Sequence, residues 1–195
     1  HNTDKKKKGQ YFTPSAIVQY IIEHTLHYHE NLFTIKILDP ACGSGQFLMF
    51  AYKLLLERYK QFGIDEKKAS YLICSNNLFG YDIDPVACSI AQWNMKKISG
   101  QKTNIVQRDI LDLGTIFTVP HHNEKYDIII GNPPWGAHFT QTQKNIFKNN
   151  YYSAQSGVNS FTLFIERALF LLNESGVLSF LIPEAYLNIK AHKNS

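Results

Sequence analysis

The chain has little cysteine, and it has neither a long hydrophobic run nor an internal repeat. Of its 195 residues only Cys42, Cys74 and Cys88 are cysteines, and no two of them have CxxC spacing. An odd, scattered set argues against a disulfide framework or a cysteine zinc site. No apolar run reaches the ~20 residues of a membrane span, and no signal peptide is recognisable. These absences predict one domain in a reducing, cytoplasmic setting without a membrane partner.

The charge that is present is mildly positive. The formal net charge is +4, the pI is about 8.8, and the densest run is Lys5–Lys8. Such a balance permits binding to nucleic acid but does not require it. The lysine run fits either a solvated tail or a phosphate contact near a site.

Apolar strands alternate with helical patterns along the chain. The predicted strands are 33–38, 78–82, 104–107, 126–131 and 176–182, and the predicted helices are 16–29, 47–62, 65–74, 85–99 and 159–173. The polar and aromatic segment 136–156 is predicted to be a loop. Alternation of this kind indicates an α/β fold with a parallel sheet, and the lack of polar alternation in the strands indicates burial on both faces.

Polar side chains stand where the predicted strands end. Asp39, Asp82 and Asp109 follow the first three strands, and Asn132 follows the fourth. In an open α/β sheet, ligands bind outside the carboxyl ends of the strands. These four side chains are therefore expected to converge on one crevice.

The turn after the first strand, DPACGSGQF (39–47), indicates the type of ligand. Gly43 and Gly45 allow close approach of the backbone, but Leu48 replaces the third glycine of a dinucleotide site and a P-loop lysine is missing. Two carboxylates, Asp39 and Asp82, would repel phosphates but suit a ribose diol and a cation. S-adenosylmethionine carries a ribose, an ammonium and a sulfonium. Asp84, which precedes Pro85, is instead expected to cap a helix.

The NPPW turn, Asn132–Trp135, follows the apolar run Ile128–Ile130. Two prolines stiffen it, and Asn132 is pushed out of the helical region. The turn then exposes the Asn132 side-chain oxygen and backbone carbonyls beside the flat ring of Trp135. Two such acceptors could hold the hydrogens of a planar amine and orient its lone pair, while the Trp135 ring stacks on the base that carries this amine. The alternative is a rigid turn with a buried tryptophan.

Five motifs occur in a characteristic order: GQYFTP (9–14), DPACGSGQF (39–47), YDIDP (81–85), RDIL (108–111) and NPPW (132–135), followed by GVLSFLIPEAYL (176–187). This order resembles the γ-class N6-adenine DNA methyltransferases of bacterial restriction–modification systems. The resemblance implies a Rossmann-like, S-adenosylmethionine-dependent fold with helices on both faces of a mostly parallel sheet. It implies an amino-terminal helix region at 1–34 and a catalytic domain at 35–195. Because the family continues beyond GVLSFLIPEAYL, we expect a fragment without its last strands and recognition domain, and with little or no activity alone.

The resemblance also implies a role for each site residue. Along the methionine part of the cofactor it places Tyr11, Thr13 and Pro14. At the amino-acid end it places Asp39, Ala41 and Gly43. Around the ribose and the adenine ring it places Asp82, Ile83, Asp109 and Ile110. The target amine would be held by Asn132 and Pro133, with Pro134 stiffening the turn and Trp135 stacking on the flipped base.

The resemblance implies an adenine-specific, site-specific DNA methyltransferase in the bacterial cytoplasm. Its partners would be double-stranded DNA with a flipped adenine and a recognition or nuclease domain or subunit. No metal is expected. Two alternatives remain open: a methyltransferase acting on protein glutamine or RNA, and a non-catalytic cofactor-binding subunit of a restriction complex.

Overall fold

A parallel sheet is the centre of the fold. The computed structural model describes residues 13–27, 29, 32–112 and 124–182. Within these ranges the strands are β1 Ile37–Asp39, β2 Leu78–Asp82, β3 Asn104–Gln107, β4 Tyr126–Gly131 and β5 Leu172–Phe180. All neighbouring pairs are parallel, in the order β3-β2-β1-β4-β5. The chain order reverses between β1 and β4, and this switch point opens a crevice at the carboxyl edge of the sheet.

Helices connect the strands, as parallel neighbours require. They are α1 Ser15–His27, α2 Gln46–Gln61, α3 Glu66–Leu72, α4 Pro85–Ser99, α5 Gln141–Asn150 and α6 Ser160–Leu171. A π-helical turn, Ile73–Asn77, follows α3, and a short 3₁₀ helix, Tyr152–Ala154, follows α5. None of the described helices is long and apolar enough to cross a membrane.

Successive residues of the central strands enter two separate cores. Ile37 and Ile128 pack with α1 to α4 on one face, whereas Leu38 and Ile129 pack with α5 and α6 on the other. Side chains alternate across a strand, so a strand buried on both faces carries apolar residues without a break. The prediction of helices on both faces of a parallel, Rossmann-like sheet is confirmed.

The predicted helices and strands agree best with the structure where Asp, Pro, Gly or Asn residues bound them. Strands 78–82, 104–107 and 126–131 and helix 85–99 have the predicted bounds. The first strand is shorter than predicted, because residues 32–34 form a turn and the Asn77 amide nitrogen donates to the Ile35 carbonyl oxygen at 2.7 Å. The helix predicted at 159–173 ends at Leu171, and β5 begins directly at Leu172.

The prediction that every strand is buried on both faces is wrong for the two edge strands, β3 and β5. In β3 Val106 is 46% exposed, and none of the β5 residues is buried. Within the described residues, each of these strands has a neighbouring strand on one side only.

The loop predicted at 136–156 is also wrong, since it contains α5. The Thr140 hydroxyl accepts from the Gln143 amide and the Gln143 side chain accepts from the Thr140 amide, which forms a capping box. Phe147 is the buried residue of this helix. The sequence of this helix is mostly polar, so the local capping pattern was its clearest signal.

Candidate functional site

The carboxyl ends of β1, β2 and β4 lie in contact with one another. The Gly43 amide, in the turn after β1, donates to Asp82 Oδ2 at the end of β2 at 2.8 Å. A Cβ atom built on Gly131, at the end of β4, would lie 2.7 Å from Asp39 Oδ1, so only glycine fits there. The structure therefore brings Asp39, Asp82 and the start of the NPPW turn to one edge of the sheet.

The glycine-rich turn is held rigidly against α4. The Gly45 φ angle is +83°, and a Cβ there would lie 3.1 Å from the Ala91 Cβ atom. The side-chain amide nitrogen of Asn94, in α4, donates to the Ser44 carbonyl oxygen at 3.0 Å. Gly43, at φ +53°, has no atom within 4 Å of the position that a Cβ would occupy. The turn is thus fixed on one side and presents bare backbone to open space at Gly43.

Asp82 braces this turn and retains capacity for further hydrogen bonds. Its Oδ2 accepts from the Gly43 amide at 2.8 Å, and its Oδ1 accepts from the Asp84 amide at 2.9 Å. A carboxylate offers about four lone-pair positions, so two backbone donors leave room for two hydroxyls. Asp84 itself caps α4 by accepting from the Val86 amide at 2.9 Å, as predicted.

Asp39 lies beneath the turn, with a relative exposure of 1%. Burial raises the pKa of its carboxyl to about 8; the hydrogen bond from the Ala41 amide opposes this shift and the negative charge of Asp82 adds to it. Near neutral pH Asp39 is therefore mostly uncharged in the folded chain. A cation placed beside it would favour its ionised form.

The residues predicted around the cofactor's adenine differ in exposure. Ile83 is 62% exposed at the rim, whereas Ile110 is buried in the core on the α6 face. Asp109 Oδ1 accepts from the Leu111 amide at 2.9 Å, and burial raises the pKa of Asp109. Ile83 is thus available to a ligand, while Ile110 anchors the loop after β3 in the core.

The NPPW turn is tied to two distant segments. Asn132 Nδ2 donates to Thr13 Oγ1 at 2.9 Å, and Thr13 is buried. The Pro134 carbonyl accepts from Ser160 Oγ at 2.8 Å, at the first residue of α6. Through these bonds Thr13 and α6 fix the turn from both sides. Pro133 is buried and Trp135 is half-buried.

The structure adds contacts that the sequence does not predict. The cofactor role of Thr13 stays a prediction, and its observed contact is with Asn132. Pro14 is exposed, and Tyr11 lies outside the described residues. Ser160 was missed, because a serine at a helix start reads as an ordinary capping residue and its partner is distant in the chain.

The site chemistry does not involve a cysteine nucleophile. Cys42, Cys74 and Cys88 are buried free thiols, and burial raises the pKa of each. A reactive cysteine needs the opposite, a lowered pKa. Among the described residues, no group of histidine, cysteine or carboxylate side chains could hold a metal ion.

Comparison with known proteins identifies the family. The family model described as N-6 DNA Methylase matches residues 1–195. The chain belongs to this family. It is 29% identical to the type II methyltransferase M.VspI of Vibrio sp. (strain 343) over 191 residues, which cover 97% of the chain and 40% of that protein. The chain thus spans less than half the length of this relative.

Solved structures support the same fold. A Listeria monocytogenes structure assigned to the class I S-adenosylmethionine-dependent methyltransferases superposes with a TM-score of 0.65 at 20% identity, covering 95% of this chain and 50% of that one. The restriction–modification enzyme LlaGI, solved with a DNA substrate mimic, gives a TM-score of 0.74 at 19% identity, covering 93% and 21%. The N-6 DNA Methylase chain therefore has the Rossmann-like fold of S-adenosylmethionine-dependent methyltransferases.

The pKa of Asp39 predicts how stability depends on pH. Between 3.8 and about 8 the unfolded chain releases a proton that the folded chain keeps. At this group the folded state then binds more protons, so the contribution of Asp39 to the free energy of unfolding falls as the pH rises through this window, by at most about 1.4 kcal/mol per pH unit. Urea unfolding of the cofactor-free protein at several pH values measures this slope.

Asp39→Asn removes the titrating group and should flatten that slope. Asp65→Asn makes the same substitution at the exposed cap of α3 and should leave the slope in place. Equal slopes for the wild type and Asp39→Asn would show that Asp39 does not hold its proton in the folded chain.

Proposed function

We propose that the whole protein transfers a methyl group from S-adenosylmethionine to the N6 amine of adenine in DNA, within a bacterial restriction–modification system. The observation that carries this proposal is the Asn132 amide, held by Thr13 beside the edge where Asp39 and Asp82 meet. The family description and the M.VspI match support the choice of DNA as the substrate.

The residues at this edge fit the cofactor. When bound, S-adenosylmethionine supplies an electrophilic methyl group. The two remaining acceptor positions of Asp82 suit its ribose hydroxyls, and the open backbone of Gly43 suits its amino-acid end. Ile83 offers an exposed apolar surface to its adenine ring, and Asp109 can accept from the adenine amine. Asp39 and Ala41 would border the ammonium, whose charge would favour the ionised form of Asp39.

Asn132 would orient the amine of the target base. Its amide nitrogen donates to Thr13, so its carboxamide oxygen is the end that would accept from the amine. With the Pro133 carbonyl accepting the second hydrogen, the nitrogen lone pair is drawn out of conjugation with the ring. Fixed positioning of this kind lowers a reaction barrier by ~7–11 kcal/mol when the alignment is good. Thr13 acts here as a positioning residue.

Trp135 would receive the base after it leaves the helix. Flipping costs a few kcal/mol, and a stacked aromatic ring returns about 1–3 kcal/mol. Pro134, bonded to Ser160, keeps the ring at a fixed distance from Asn132. Residues 1–34 would complete the cofactor cleft through Tyr11, Thr13 and Pro14. In the whole protein we propose a separate recognition or nuclease part that supplies sequence reading.

Asn132→Ala tests this function most simply. The variant should lose about 10²–10³-fold in kcat, as when one preorganised hydrogen-bonding group is removed from an active site, while the affinity for S-adenosylmethionine changes little. Transfer of a radiolabelled methyl group to DNA and calorimetry of cofactor binding measure the two effects. Asn76→Ala, an exposed position in the π-helical turn, is the matched control.

Retention of full methylation by Asn132→Ala would overturn the catalytic role of the NPPW turn. Label that the wild-type protein transfers to RNA or to a glutamine-containing protein substrate, but not to DNA, would favour those alternatives. Cofactor binding without transfer to any substrate would favour a non-catalytic subunit.

Asp82 and Asp84 form a matched pair for the cofactor cleft. Asp82→Ala should weaken S-adenosylmethionine binding by about 1–3 kcal/mol, because hydrogen bonds to a charged group are lost. Asp84→Ala removes only the cap of α4 and should cost stability but little cofactor affinity. Calorimetry of S-adenosylmethionine binding to both variants tests this difference in affinity. Equal losses of cofactor affinity would contradict the ribose role of Asp82.

A further inference from the structure

We propose that the outward side of α5 binds the phosphate backbone of the substrate DNA beside the flipped base. The proposal rests on the proposed function and adds a second contact surface to it. Helix α5, Gln141–Asn150, follows the NPPW turn closely in the chain, and it was not expected from the sequence.

The helix is fixed between the NPPW turn and the loop after β3. Its buried Phe147 ring packs edge-on against Phe139 at 4.9 Å and against Tyr151 at 5.8 Å between ring centroids. The Tyr151 hydroxyl donates to the Leu111 carbonyl at 3.2 Å, two residues after Asp109. At the other end, the Ala137 amide donates to Ser160 Oγ, the same atom that bonds to the NPPW turn. The helix is therefore held at the rim of the proposed active site.

One side of α5 carries only cationic and amide groups. A turn of about 100° per residue places Gln141, Lys144, Asn145 and Lys148 together. All four side chains are exposed, and the Gln141 amide donates to Asn145 Oδ1 at 3.0 Å, which confirms that they share a side. Ammonium and amide groups are among the usual donors to phosphate oxygens in protein–DNA contacts.

The segment around α5 carries no acidic residue of its own, because no aspartate or glutamate occurs between Asp127 and Glu166. The Glu166 carboxylate lies beyond the carboxyl end of the helix, where it accepts from the Tyr152 and Ser153 amides. The ion pairs found within the described part of the chain involve Lys60 and not the lysines of α5. The buried Phe147 lies on another side of the helix, so the outward side has no apolar stripe for a packed protein partner. This pattern fits a polyanion.

DNA is the polyanion that this position favours. A base flipped into the NPPW turn brings the phosphates on either side of it to the same rim. Lysines that neutralise those phosphates would release counterions and add affinity that does not depend on base sequence. An acidic protein surface is the competing partner, and the test separates the two.

The test uses the whole protein with the double variant Lys144→Gln/Lys148→Gln. The matched control is Lys67→Gln/Lys68→Gln, the same change of charge on the exposed side of α3. The DNA probe is a duplex containing the site mapped by sequencing plasmid DNA that the wild-type protein has methylated. Affinity is measured over a range of salt concentrations, together with kcat, the KM for DNA and the affinity for S-adenosylmethionine.

The α5 variant should lower the slope of log affinity against log salt by about one for each lysine, and the control should not. It should raise the KM for DNA while kcat at saturating DNA and cofactor affinity stay within about twofold of the wild type. An unchanged salt slope in the α5 variant would overturn the proposal while leaving the proposed function intact. An unchanged salt slope together with an altered oligomeric state of the α5 variant would assign the surface to a protein partner. No methyl transfer to any DNA by the wild-type protein would overturn both.

Discussion

The hydrogen bond from Asn132 to Thr13 is the interaction on which the site depends. It joins side chains that are 119 residues apart, and it ties the segment before α1 to the turn after β4. Because the amide nitrogen donates to Thr13, this bond sets the orientation of the Asn132 carboxamide, and in the proposed function its oxygen accepts from the target amine. A turn stiffened by Pro133 and Pro134 fixes the backbone but cannot choose the orientation of an amide. The hydrogen bond to Thr13 sets the orientation of this amide.

A second constraint comes from placing acidic groups at the ends of adjacent strands. Asp39 and Asp82 are both almost completely buried, and the negative charge of Asp82 adds to the burial that raises the pKa of Asp39. Asp82 meets this cost with two backbone donors, whereas Asp39 stays protonated near neutral pH. The cleft therefore suits a ligand that brings hydroxyls and positive charge, and it disfavours a pyrophosphate. This preference fits S-adenosylmethionine, the cofactor of the proposed function.

The fold was largely readable from the sequence because its central strands, β1, β2 and β4, are buried on both faces and end at or just before polar residues. Strands 78–82, 104–107 and 126–131 and helix 85–99 are bounded by Asp, Pro, Gly or Asn, and their bounds were predicted. Helix α5 was missed because its sequence is mostly polar and Phe147 is its one buried residue. The site residues could be listed from strand ends and motifs, but not their contacts. The bonds from Asn132 to Thr13 and from Ser160 to Pro134 depend on long-range packing that no local pattern encodes.

The central claim is that one edge of the sheet holds both the cofactor and the amide that orients the amine. A crystal structure of the protein with S-adenosylhomocysteine tests it most directly. The account predicts the ribose hydroxyls on Asp82, the adenine ring against Ile83 and the sulfur facing the Asn132 carboxamide oxygen, with the Thr13 bond kept. A ligand bound on another face, or an Asn132 side chain turned away from the sulfur, would contradict it.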